Sequence, residues 1–292
     1  MRTPEPISRL RSAIGGLSAG LALVFANGAI ASSAAAELLP VSQVRSADFS
    51  WTTDQGTYLC LPPPTGCSPI DVTHDEDQGD DQAPDLGAWS TSLGGIVSID
   101  SSALGSTGFT ASASHAGSGG ADFWWTGEPL EAYASATYMD SHASFFYEFS
   151  VDEPTPFRLS GSLETGGAGL IGWMLARIRM TGEGPGGPGS VELLNVELTG
   201  DPGCYEPACL YLGPEAVELA GTLLPGTYTV EADLHGEGHP LISITTGVAA
   251  SNDYEGSFEL ELTTVVAVPA VGVPGLVVLA VALLGCGRRL LV

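Results

Sequence analysis

The chain contains no lysine, and its nine arginines stand against 34 acidic residues. Five of the arginines lie at the ends, Arg2, Arg9 and Arg11 at the start and Arg288 and Arg289 at the finish. Residues 37–268 therefore carry 33 acids against only Arg45, Arg158, Arg177 and Arg179, a formal balance of −29. A body of this charge is repelled by nucleic acid and by anionic lipid, which leaves cations, neutral sugars and basic proteins as soluble partners. Charged residues make up only 15% of the chain, too few for long solvated helices, whereas 39 glycines and 20 prolines suit strands and turns. Catalytic signatures are missing as well. The sequence has no Gly-x-Ser-x-Gly elbow, no His-Glu-x-x-His helix and no glycine loop that cradles phosphate, since "GEGPGGPGS" at 182–190 is a Pro/Gly linker. The chain is expected not to be an enzyme, and an exported hydrolase remains an alternative on fold alone.

What is present begins with two address-like ends. Residues 1–36 hold a basic stretch with Arg2, Arg9 and Arg11, an apolar stretch over 13–30, and small residues before a cut. Those are the three parts of a secretory signal peptide, with cleavage expected after Ala36. At the other end, residues 268–287 carry no charge and span about 30 Å as a helix, enough to cross a bilayer core. Arg288 and Arg289 follow at once and would hold that end on the cytoplasmic side. The expected organisation is a signal peptide at 1–36, an acidic ectodomain at 37–264 and a transmembrane tail at 265–292.

Pro269 and Pro274, the apolar helix rich in Leu, Val, Ala and Gly, and the terminal Arg288-Arg289 pair together resemble the PEP-CTERM type of sorting tail. This is a variant, because no acid stands between the two prolines. The resemblance implies processing by a membrane-embedded exosortase. It also implies export to the cell surface or extracellular matrix of a bacterium that makes extracellular polysaccharide or biofilm. A plain C-terminal membrane anchor is the alternative.

The body alternates with the period of strands. Phe145, Tyr147, Phe149 and Val151 share one face, as do Phe157, Leu159, Gly161 and Leu163 after the break at Pro154 and Pro156. Met174, Ala176, Ile178 and Met180 are expected inside, with Arg177 and Arg179 in water. Further strands are expected over 189–199, 216–223, 226–234, 241–246 and 257–264, with Pro225-Gly226 as a turn feeding one of them. The pattern predicts an all-β, antiparallel β-sandwich of jelly-roll type. The phrases "LSGSL" at 159–163 and "LAGTL" at 219–223 read as equivalent strands of the two sheets. Residues 37–120 read as partly loop-rich, with "ASASHAGSGG" either a flexible loop or small-residue strands.

Five cysteines are present. Cys60 with Cys67 and Cys204 with Cys209 are local pairs that, after export, form short disulfides; a four-thiolate zinc site is the alternative. Cys286 falls in the tail. Asp75, Asp77, Asp80 and Asp81 lie in the densest acidic run and offer calcium a set of oxygen ligands, without the EF-hand register; a solvated acidic loop is the alternative. Asp233, His235, Glu237 and His239 point one way in an extended chain and could grip a divalent metal, unless Gly236, Gly238 and Pro240 fold them into a hairpin turn. Trp124 and Trp125 point to opposite faces of a strand, so one of them leaves the core. An exposed tryptophan suits stacking against a sugar ring, with packing as the alternative. The expected cofactors are none, or calcium. The expected role is non-enzymatic, at the cell envelope or matrix, with a carbohydrate-binding module as the second reading.

Overall fold

The computed structural model describes residues 37–60, 66–127, 130–168, 172–183, 190–200, 211–243 and 248–265. The expected signal peptide, the tail with Pro269, Pro274, Arg288 and Arg289, and the pair Cys204 and Cys209 lie outside these residues. The regular structure described is all strand: β1 Leu39–Cys60, β2 Cys67–Ala83, β3 Trp89–Leu93, β4 Val97–Ser101, β5 Gly108–Trp125, β6 Glu131–Val151, β7 Thr155–Ala168, β8 Gly172–Glu183, β9 Ser190–Gly200, β10 Tyr211–Leu223, β11 Gly226–Gly238, β12 Leu241–Ser243, β13 Val248–Ala250 and β14 Asn252–Thr264. The segment read as partly loop-rich thus holds four strands and most of a fifth, β5, at whose centre "ASASHAGSGG" sits. Backbone hydrogen bonds to two neighbours order these small residues where side-chain patterning is silent.

All pairings are antiparallel. Eight strands run in the order β10-β7-β14-β5-β6-β11-β8-β9, a sheet that nearly closes because β9 and β10 approach each other. The hairpin β1–β2 is added at β6, and β3–β4 at β5. β5 joins the two halves. Gly108 to Gly119 pair with β14, and Gly120 to Trp125 pair with β6. The arrangement is consistent with a jelly roll.

Both halves turn their apolar sides toward one core. Phe145 on β6 meets Phe109 on β5 at 5.5 Å and Phe258 on β14 at 6.5 Å between ring centroids. The alternation read from sequence is the burial pattern found: Phe145, Tyr147, Phe149, Val151, Phe157, Leu159, Leu163, Met174, Ala176, Ile178 and Met180 are all buried. Each Val, Leu, Ile, Phe or Met among them contributes about 1.5–3 kcal/mol by leaving water. The two look-alike phrases are not counterparts in facing layers. They are hydrogen-bonded neighbours, Leu219 opposite Leu159 and Leu223 opposite Thr155. Similar alternation reports similar burial, and it carries no information on which strand is adjacent.

Cys60 and Cys67 face each other across β1 and β2 with Cα atoms 4.0 Å apart, and they are joined by a disulfide. It closes the hairpin end. Replacing both cysteines by serine is expected to lower stability by about 2 kcal/mol through the lost loop constraint. Urea unfolding with and without reductant checks this, and identical midpoints would refute it.

Candidate functional site

Strand parity places a band of histidines and carboxylates on the outer face of the β2-β1-β6-β11 layer. In β1, the buried sequence Gln43, Arg45, Ala47, Phe49 points inward, so Asp48 and Asp54 point out. Register then carries that face across the sheet: Asp80 lies opposite Asp48, Asp48 opposite His142, and His142 opposite His235. In the neighbouring row Glu237 lies opposite Asp140. His74 lies opposite Asp54 nearer the far end. Four of the five histidines, His74, His142, His235 and His239, belong to this band.

Every one of the four meets a carboxylate. His74 Nδ1 is 2.6 Å from Asp54 Oδ1, and its Nε2 is 3.5 Å from Glu76. His142 Nδ1 is 3.3 Å from Asp48, and His239 Nε2 is 2.9 Å from Glu237 Oε2. His235 stands between two carboxylates, Nε2 lying 3.4 Å from Asp140 Oδ1 and 3.5 Å from Glu237 Oε1. The hydrogen bond to Asp140 raises the basicity of His235 above the usual imidazole value, with burial opposing it. The indole of Trp173 packs edge-on against the His235 ring at 4.6 Å and fixes its plane.

The group drawn from sequence, Asp233 with His235, Glu237 and His239, is therefore rearranged. Asp233 is taken by Arg177 at 2.5 Å, and Asp140 enters from β6. Asp140 had one legible sign, the alternation of Asp140, His142 and Ser144 against buried Ala143 and Phe145, but only the β6–β11 register joins it to Glu237. Gly236 and Gly238 do not make a turn either. Gly236 lies inside β11 and Gly238 is its last paired residue, and a Cβ at Gly236 would fall 2.3 Å from a ring carbon of Tyr254. The glycine makes room for a buried tyrosine.

The acidic run is likewise a strand. Asp75, Asp77 and Asp81 of β2 take one face and Asp80 takes the other, so the four are not gathered around one point. Pairing with β1 imposes this, because a ladder fixes alternation where a loop would let carboxylates converge. Trp124 and Trp125 do take opposite faces, yet both are exposed, at 50% and 56%. Trp124 lies flat on Tyr133, ring centroids 4.1 Å apart at 23°, and Tyr133 Oη donates to Gln55 Oε1. Trp125 meets the edge of Phe123.

Two buried polar groups escape sequence reading. Arg45 is fully buried; its Nη1 donates to Gly87 O at 2.6 Å and to Ser101 Oγ at 2.9 Å, and its Nη2 to Asp85 O at 2.9 Å and Asp85 Oδ1 at 2.8 Å. Its guanidinium also lies 5.5 Å from the Trp89 ring centroid. His115 is buried in β5 with Nδ1 3.1 Å from Ser141 Oγ, and its Nε2 has no hydrogen-bond partner among the described residues. Burial pulls its pKa down to about 4.

Comparison with known proteins adds no family. No protein-family model matches the chain, and no curated protein matches it. Among solved structures, the chain is similar to that of the infectious bursal disease virus Gx strain at 9% identity, with 80% of this chain and 62% of the other covered and a TM-score of 0.17. For the VP2 subviral particle of the same virus the figures are 10% identity, 88% and 74% covered, and a TM-score of 0.17. The chain spans under two-thirds of the length of the first of these. Likeness at this level carries no argument about function.

Proposed function

We propose that the chain is an exported, non-enzymatic component of the cell surface or extracellular matrix, its body a jelly-roll-like β-sandwich. It would be carried out by the signal at 1–36 and handled at the membrane through the PEP-CTERM-like tail with Pro269, Pro274, Arg288 and Arg289. The observation that carries this reading is the Cys60–Cys67 bond, since such bonds persist in oxidising compartments. The acidic, lysine-free body fits the same setting, where its charge keeps neighbouring copies apart and attracts cations. Mass spectrometry of the protein from fractionated cells tests the reading. A mature chain beginning at Glu37 in the envelope or medium is expected, and an intact residue 1–36 segment on cytosolic protein would overturn it. Loss of peptides beyond Pro274 from released protein, restored when the exosortase is deleted, is the expected mark of sorting over simple anchoring.

A second reading, binding of neutral polysaccharide, is favoured by the exposed Trp124 lying flat on Tyr133. A pyranose ring stacks on such a surface, and the tyrosine holds the indole plane. On a glycan array, Trp124→Ala is expected to remove roughly 1 kcal/mol or more of sugar affinity, about a fivefold loss. Chelator is expected to leave binding unchanged, because the β2 aspartates do not converge. No binding to any glycan by the unaltered protein sinks this reading and leaves the first intact.

A further inference from the structure

Two carboxylates face one ring nitrogen of His235, whereas His142 is 3.3 Å from Asp48 through its Nδ1. His74 and His239 lie 2.6 Å and 2.9 Å from their nearest carboxylates, the distances of direct charge-assisted hydrogen bonds. His235 Nε2 lies 3.4 Å from one carboxylate and 3.5 Å from another, and Asp140, His235 and Glu237 each present a ligand atom within 4.8 Å of the rest. A tetrahedral zinc ion with bonds of about 2.0–2.1 Å separates its ligand atoms by roughly 3.3–3.4 Å. Each carboxylate thus stands from the imidazole nitrogen at about the separation that two ligands of one such ion keep.

The three side chains are also held in place. His235 and Glu237 are i and i+2 on β11 and share its outer face, and the β6–β11 ladder sets Asp140 opposite Glu237. Trp173 braces the His235 ring on one side, and the His142 ring stands on the other at 5.8 Å. The side chains of His235, Asp140 and Glu237 are 28%, 45% and 31% exposed, which leaves an ion a path in and a face toward solvent. Asp48 and Asp80 add negative charge to the row, while the nearby cation Arg177 is engaged by Asp233.

We propose that Asp140, His235 and Glu237 form a site for a divalent transition metal of the zinc class, with three protein ligands and one position open to water or to a donor group of another molecule. The imidazole selects zinc-class ions over calcium and magnesium, which take all-oxygen sets. The open position follows from the ligand count, as structural zinc sites close with four protein ligands. The site bridges β6 and β11, so ion binding ties two strands of the layer together. None of this depends on export or on sugar binding.

Isothermal titration of the purified, chelator-stripped full chain with zinc chloride, followed by the same titration with calcium chloride, tests the proposal. One saturable zinc site is expected, with no equivalent heat from calcium at the same concentration. His235→Ala and Glu237→Gln are each expected to weaken zinc binding by roughly tenfold or more, and Asp140→Asn, which keeps shape and hydrogen bonding, to do likewise. His74→Ala, on the same face but outside the group, is expected to leave the affinity unchanged. Cobalt substitution supplies a readout that fold damage does not imitate: intense visible absorption from a tetrahedral site, lost in Asp140→Asn while the melting of the metal-free protein is retained. Absence of saturable zinc binding, affinity untouched by Asp140→Asn and His235→Ala, or loss of the site in His74→Ala would each overturn the assignment.

Discussion

Arg45→Leu is expected to cost about 1–3 kcal/mol of folding stability, the range for buried polar groups left without their hydrogen-bond partner. Leucine fits the space but donates nothing. Gly87 O, Asp85 O and Ser101 Oγ each lose a donor that the guanidinium supplies, and the turn after β2 loses its tie to the inward face of β1. Arg45→Lys is expected to recover little, since one ammonium cannot reproduce the fork that reaches Gly87 and Asp85 together. Asp85→Ala is the contrasting case. Its side chain is 75% exposed and the guanidinium still serves Gly87 O, Asp85 O and Ser101 Oγ, so the loss is expected to be the smaller of the two. Urea unfolding of the three variants measures the order, and limited proteolysis reports whether the segment around Asp85 and Gly87 loosens. A loss below about 1 kcal/mol for Arg45→Leu would show that the guanidinium is incidental to the core.

His115 is expected to make the protein acid-sensitive. Its folded pKa of about 4 lies below the unfolded value of 6.5, so the unfolded chain binds the extra proton between these limits. Stability from keeping this ring neutral is fully present above pH 6.5 and is lost as pH falls toward 4, a change on the order of 3 kcal/mol. His115→Gln, which can still bond Ser141, removes the titration. The difference in unfolding free energy between the two proteins is expected to change by up to one proton's worth across that window and to be flat above pH 7. Parallel pH profiles for the two would refute the assignment. Burial accounts for the direction: with Nε2 lacking a hydrogen-bond partner among the described residues and Tyr254 packed against the ring, desolvation outweighs the bond to Ser141 and the attraction of Asp140.

How legible was this molecule in its sequence? Where alternation was carried by large apolar residues, as in Phe145, Tyr147, Phe149 and Val151, both strand and buried face could be read directly. Where it was carried by Ser, Ala and Gly in β5, or by carboxylates in β2, the ladder was present and the signal was not, because hydrogen bonding orders a strand whatever its side chains are. Pro225-Gly226 could be read as a turn; Gly236 could not be told from a turn glycine, since its role is set by Tyr254 arriving from β14. The site followed the same logic. His235 and Glu237 were visible as a pair two residues apart, while Asp140, 95 residues before His235, became their neighbour only through strand register. Arg45 gave no sign of burial, because a lone cation on a strand reads as an outward residue until its acceptors are known.

β2 pairs with β1 and with no other described strand, so its outer edge offers unpaired backbone groups along 17 residues. Such an edge is a template for a second copy. Asp71, Asp75, Glu76, Asp77, Asp80 and Asp81 line it, and two such edges brought together would face charge with like charge at close range. Like charge along this edge opposes such pairing. Concentrated salt screens such repulsion, so the edge is held unpaired most firmly where ionic strength is low.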